Sequence, residues 1–242
     1  MPGGRVAILG ATSTIARAIA ARYAQEGQDL LLCGRSLPEV ERVAQDLSLR
    51  YGVAAEALLL DPDLPDYPQV LWRLEGGPLL QGVVWAIGTM AAAAGDADPD
   101  DIRQTTWVNF GAAAAAIEGL LPAIDPRGFI VLLSSVAGER GRRKNYVYGA
   151  AKAALSTYGQ VLNHRLAGRG PRVTVVQLGV VDSQMTWGMA GGPPGADPDK
   201  VARAILRAVR SRRAWVHVPA LWGPIMLVLR LLPEPLFNRL QV

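Results

Sequence analysis

The chain has 242 residues, half of them hydrophobic and 6% aromatic, with a net charge of +4. That is enough for one large α/β domain with a substantial core, and it excludes a disordered or fibrous chain. No long basic run signals nucleic acid, and a lone cysteine, Cys33, excludes an internal disulfide and points to the reducing cytoplasm.

Met1 to Leu9 leads straight into a strand pattern, so no signal peptide is expected. Arg5 to Leu9 is a short apolar run that reads as a buried strand. The small-residue turn Gly10, Ala11, Thr12, Ser13, Thr14, Ile15, Ala16 follows, then a helical pattern to about Glu26. A strand, a tight turn and a helix N-terminus form a phosphate site, because the free N–H groups and the helix dipole favour an anion. Only Gly10 is a glycine there, so an ordinary strand-to-helix turn is the competing reading.

Asp29 to Cys33 reads as the second strand, followed by Gly34, Arg35 and Ser36. In a dinucleotide fold this strand end meets the adenosine ribose, and no acidic residue stands there for the ribose hydroxyls. Arg35 suits a 2′-phosphate, which favours NADP with NAD as the alternative; stacking on adenine or solvation is the other use of that guanidinium. Residues 38–50 read as an amphipathic helix and Val53 to Leu60 as a third strand. Asp61 after it either bonds the adenine amine or simply forms a turn.

A short helix is expected over 67–74, a fourth strand over 82–87 ending at Gly88, and a loop over 89–98. Asp101 to Leu121 reads as one long helix. Asn109 is unfavourable in its interior, so it either holds a water or a carbonyl or lies solvated on the surface. Gly128 to Leu133 is the fifth strand and delivers Ser134 and Ser135; 172–178 is the sixth and 214–218 a last short one. The helix from Tyr146 or Val147 to Leu166 carries Tyr148 and Lys152, four apart and therefore one turn from each other. A lysine ammonium beside a phenol lowers the phenol's pKa from its ordinary value near 10, which makes the pair a proton donor and acceptor. Only Lys144, Lys152 and Lys200 are lysines in an arginine-rich chain, so a compact ammonium is retained here for a reason. Ser135 lies 13 residues before Tyr148 and is placed to hold a substrate oxygen.

Residues 184–199, rich in glycine and proline, read as a substrate lid, with a helix over 198–212. Alternating strands and helices predict a doubly wound, Rossmann-type parallel sheet of about seven strands with helices on both faces. The expected organisation is a dinucleotide-binding domain over 1–218 and an apolar extension over 219–242.

Gly10, Arg35, Asp61, Gly88, Ser135 and Gly179 all fall at carboxyl ends of strands, where such folds bind ligands. Together with Asn109, Ser135, Tyr148 and Lys152, they resemble the classical short-chain dehydrogenases/reductases over roughly residues 5–218. The resemblance implies hydride transfer between a nicotinamide and a carbonyl or alcohol. In that frame Tyr148 exchanges the proton, Lys152 lowers its pKa and binds the nicotinamide ribose, Ser135 polarises the carbonyl, and Asn109 holds a proton-relay water. Gly179, Val181 and Ser183 match the segment that contacts the nicotinamide amide, with Leu178 in place of the usual proline. The sequence departs from the family at Thr14 and Ala16, where glycines are usual, and at Trp85 to Gly88, where only the glycine survives.

A narrower similarity, carried by Gly138 to Gly149, the early GATSTIA and the tail, is to the decaprenylphosphoryl-2-keto-ribose reductases. It implies a keto-sugar on a lipid phosphate, and Arg140, Arg142 and Arg143 either meet that phosphate or form a solvated loop. Residues 220–232 are almost wholly apolar and too short to span a bilayer. They either dock on a membrane surface or pack on the core or a partner subunit. A homo-oligomer, dimer or tetramer, is expected through the helices over 101–121 and 147–166. The rival to an enzyme is a regulatory protein of the same fold that senses the cofactor without chemistry.

Overall fold

A computed structural model describes residues 4–64, 67, 71, 74, 77–90, 98–186 and 195–240. Seven parallel strands form one sheet in the order β3-β2-β1-β4-β5-β6-β7. They are β1 (Arg5–Leu9), β2 (Asp29–Gly34), β3 (Ala55–Leu59), β4 (Leu80–Trp85), β5 (Ile124–Ser135), β6 (Arg172–Leu178) and β7 (Trp215–Val218). The order reverses between β1 and β4, and a crevice opens there at the carboxyl ends of the strands.

Alternation along each strand feeds two cores. Val6 and Ile8 of β1 pack on one face with α1 (Thr14–Gln25), α2 (Leu37–Tyr51) and α6 (Pro198–Arg210). Ala7 and Leu9 pack on the other with α4 (Ala112–Leu120) and α5 (Tyr146–Arg165). Both faces are covered, which is why these strands read as continuous apolar runs. Helix starts follow side-chain chemistry: Ser13 caps α1 by accepting from Ala16 N, and Asp197 caps α6 by accepting from Lys200 N. Gly52, at φ 69°, ends α2 in the left-handed region.

Two expectations change. The single helix over 101–121 is α3 (Pro99–Thr106), a π turn (Trp107–Gly111) and α4. The wide turn inserts a residue into the ladder and rotates Asn109 inward, where it is fully buried. Strand β5 begins at Ile124 rather than Gly128, with a register shift opposite Leu80/Gly82. Most of the short helix expected over 67–74, the loop residues 91–97 and the lid residues 187–194 lie outside the described residues.

The tail forms α7 (Trp222–Leu231) and one turn, α8 (Glu234–Phe237). It packs on its own chain through the buried Met226 and Phe237. No helix among the described residues is long and apolar enough to cross a membrane.

Candidate active site

The first turn is built around Gly10. Its φ of 91° is open to glycine, and a β-carbon there would lie 2.9 Å from the backbone of both Ala86 and Ile87. The Gly10 and Ala11 amides donate to Cys33 O at 2.8 and 2.9 Å, tying β1 to β2. Ala16 is buried in the core, so alanine fits where a glycine was expected. One glycine is enough for this chain to close the turn.

Gly10, Thr12, Ser13, Thr14, Ile15, Arg35, Asp61, Gly88, Ser183, Tyr148 and Lys152 line one cavity of about 330 Å3. The sequence places Tyr148 and Lys152 one turn apart on a helix and the others at strand ends, in a turn or in a loop beside one. The turn backbone, the N-terminus of α1 and the exposed Arg35 guanidinium give the cavity an anion-binding character. A dinucleotide fits these residues: only a glycine permits the approach of β1 to the backbone after β4, and the donors converge on the same crevice.

Asn109 and Val181 are buried behind this wall, and the half-buried Ser135 and Gly179 adjoin the lining residues Ser134 and Leu178. Asn109 Nδ2 donates to Thr105 O at 2.9 Å and Thr89 O at 2.7 Å, while its Oδ1 accepts from Thr89 N at 3.2 Å. Its amide is therefore spent on backbone groups, the carbonyl-holding alternative rather than the solvated one, and it holds the segment after Gly88. Val181 is buried and bridges Ala196, with Asp182 N donating to Ala196 O at 3.0 Å, which joins the chain on either side of residues 187–194. Gly179 is covered by the indole of Trp222: a β-carbon there would lie 1.8 Å from Trp222 Nε1.

The serine pair divides by strand alternation. Ser134 points into the core, where its Oγ donates to Lys152 O at 3.0 Å and lies 2.7 Å from Ser156 Oγ. Gln177 Nε2 continues this network to Ser156 Oγ at 2.8 Å. Ser135 turns to the other side, where its hydroxyl acts on the Tyr148 phenol. Its Oγ also accepts from Ala137 N at 3.1 Å.

Lys152 is 4% exposed; its Nζ donates to Leu133 O at 3.0 Å and stands 5.7 Å from the Tyr148 ring centroid. The spacing of four predicts a lowered phenol pKa, and the structure gives a raised one. Burial pushes the Tyr148 phenol up to about 12, opposed by the hydrogen bond to Ser135. Burial pulls the Lys152 ammonium down to about 8. The ammonium sits over the ring rather than at the hydroxyl, so desolvation of both groups outweighs their attraction.

Sequence reasoning missed Gln104, Val108, Ile87 and Met185, which also line the cavity. Ile87 and Met185 flank residues already singled out. Gln104 and Val108 lie on a helix whose inward face the π turn resets, and the apolar pattern carried no sign of that. It also misjudged the arginine loop. Arg140 Nη1 donates to the carbonyls of Leu229 and Arg230, both at 2.9 Å, and its guanidinium lies 4.1 Å from the Phe237 ring centroid. Arg142 Nη2 approaches Met226 Sδ at 3.4 Å. Two of the three arginines hold the tail, and Arg143 is exposed.

Comparison with known proteins agrees with the geometry. A sequence profile of the family described as short chain dehydrogenase matches residues 5–191. An uncharacterized oxidoreductase of Mycobacterium tuberculosis is 32% identical over 97% of this chain and 96% of its own. One from Streptomyces coelicolor is 33% identical over 100% and 97%. A short-chain dehydrogenase from Sphingobium yanoikuyae, solved in complex with NADPH, superposes with a TM-score of 0.80 at 26% identity, covering 96% of this chain and 97% of that one. The chain belongs to the short-chain dehydrogenase family and is an NAD(P)-dependent oxidoreductase. These relatives are described only as oxidoreductases, so the narrower keto-ribose reductase resemblance gains nothing from them.

Proposed function

We propose that the protein is a ketoreductase that prefers NADPH and acts on a hydrophobic or lipid-linked carbonyl compound, such as a keto-sugar. The observation that carries this reading is the convergence of Tyr148, Lys152 and the Arg35 guanidinium on one cavity at the strand-order reversal. Gly10, Thr12, Ser13, Thr14 and Ile15 hold the pyrophosphate, Arg35 the 2′-phosphate and Asp61 the adenine edge. Gly88, Gly179, Val181 and Ser183 bind or back the nicotinamide half. A bound reduced nicotinamide supplies the hydride for the carbonyl carbon. Tyr148 gives its proton to the carbonyl oxygen as charge develops there, and Ser135 donates a hydrogen bond to the same oxygen. Lys152, charged below about pH 8, stabilises the phenolate that remains. Asn109 positions the segment after Gly88, and a relay water meets the protein beside it.

The same reading includes a cytoplasmic homo-oligomer. Ile102, Trp107 and Val161 leave apolar surface exposed on the helices expected to pair, and light scattering tests this. The sensor alternative has no use for a phenol and a buried ammonium that converge on one cavity. The deciding experiment is titration with NADPH and then NADH by nicotinamide fluorescence, followed by NADPH oxidation with a panel of soluble ketones and keto-sugars. Tighter NADPH binding with ketone-dependent oxidation is expected; binding without turnover on any carbonyl would return the sensor reading.

A further inference from the structure

The exposed side of the tail is unusual. On α7, Leu227, Val228 and Leu231 are 59%, 60% and 74% exposed and recur at the spacing of one helix face. Leu221, Leu236 and Leu240 extend this aliphatic stripe beyond both ends of the helix. The other side of the tail is anchored to the loop between Ser135 and Tyr148 by Arg140, by Arg142, and by Glu139, whose Oε2 lies 3.9 Å from Arg230 Nη1.

Charge is gathered at the same place. The loop 139–145 and the tail 219–240 hold six cations (Arg140, Arg142, Arg143, Lys144, Arg230 and Arg239) and two carboxylates. Their net charge therefore equals the whole chain's +4, and the remainder of the protein is neutral. Glu139 is nearly buried and is paired with His217 and Arg230, which leaves Arg143, Lys144 and Arg239 facing solvent.

We infer that this face docks on an anionic lipid surface, with the aliphatic stripe entering the interface and the cations at headgroup level. The inference deepens the ketoreductase reading and rests on it for the substrate: a lipophilic carbonyl would be met where it partitions, beside the catalytic loop. Three observations select a bilayer over other occupants. A second copy would set one +4 patch against another, and like charges repel. A protein partner is usually gripped by aromatic and arginine anchors, with hydrogen-bonding groups among them. This stripe is purely aliphatic, and the one tryptophan of the tail, Trp222, is turned inward onto Gly179. A helix with an exposed aliphatic face, flanked by the exposed cations Arg143, Lys144 and Arg239, matches an interfacial segment.

The test is flotation of the full chain with phosphatidylcholine vesicles that contain phosphatidylglycerol, against vesicles of phosphatidylcholine alone. Binding to the anionic vesicles that weakens with salt is expected. Arg143→Gln and Lys144→Gln should each reduce it about five-fold. The pair Leu227→Gln/Leu231→Gln should abolish it, while NADPH binding persists as proof of folding. No binding to anionic vesicles, or equal binding to both kinds, overturns the inference. So does an oligomer that dissociates in the leucine variant, which would make the stripe an interface between copies. Oxidation of NADPH by soluble ketones needs no vesicle, so failure here and failure of the ketoreductase reading are separate results.

Discussion

Gly179 and Trp222 occupy one another's space so closely that a single added carbon at Gly179 would overlap the indole, 1.8 Å from Nε1. Gly179 ends the strand-to-loop passage after β6, and Trp222 opens α7. The contact couples the far end of the chain to the wall of the cofactor cavity, which Leu178 and Ser183 line on either side.

Gly179→Ala should therefore act through the tail. Overpacking of this kind costs about 1–3 kcal/mol, with lowered thermal stability and a change in tryptophan fluorescence. In a Trp222→Ala background the same substitution should cost much less, because the obstacle is gone. A double-mutant cycle measures that coupling. Simple additivity would mean that the two residues do not act on each other.

Tyr148→Phe removes only the hydroxyl. Turnover should fall by about 10²–10⁴-fold, the range of a general acid, while the affinity for NADPH stays within two-fold by about 0.4 kcal/mol or less. Single-turnover kinetics and fluorescence titration together check this. Ser135→Ala should lower turnover less, since it removes one hydrogen bond and leaves the proton donor.

Much of this was legible in the sequence because its signals are local. Runs such as Asp29–Cys33 and Arg172–Leu178 announce buried strands, and the residue after each strand faces the crevice by the geometry of the fold. Three things were not legible. The π turn around Asn109 lies within a sequence whose apolar pattern runs on through alanines. The pKa of Tyr148 depends on depth and on where the ammonium points, which a spacing of four does not encode. The role of Arg140 rests on partners 89 and 90 residues away in sequence, and no pattern near Arg140 names them.

Arg35 is expected to set cofactor choice. It is exposed at the rim of the cavity, forms no ion pair among the described residues, and no carboxylate follows β2 at that point. A hydrogen bond between charged groups contributes about 1.5–3 kcal/mol. Arg35→Ser should thus weaken NADPH by about 10–100-fold and leave NADH nearly unchanged. Parallel titrations measure the ratio; equal losses for both cofactors would reassign Arg35 to stacking on the adenine.

Lys152 should make stability and activity pull in opposite directions with pH. Its folded pKa of about 8 lies below the ordinary 10.5 because the ammonium is desolvated. Between those values the unfolded chain binds more protons than the folded one, so stability contributed through this group rises with pH over that window. Below about pH 8 the buried ammonium costs about 3 kcal/mol. Lys152→Met should relieve that cost at neutral pH, less about 1 kcal/mol for the hydrogen bond to Leu133 O. The stabilisation should shrink as pH climbs from about 8 to 10.5. Activity should show the reverse. The phenol of Tyr148 keeps its proton up to about pH 12, so carbonyl reduction should hold level below pH 8 and fall above it as the ammonium is lost. Chemical denaturation and kcat/KM, each measured across pH 6–10.5, test the two halves. A reductive rate that stays flat through pH 8 would remove the Lys152 charge from the mechanism.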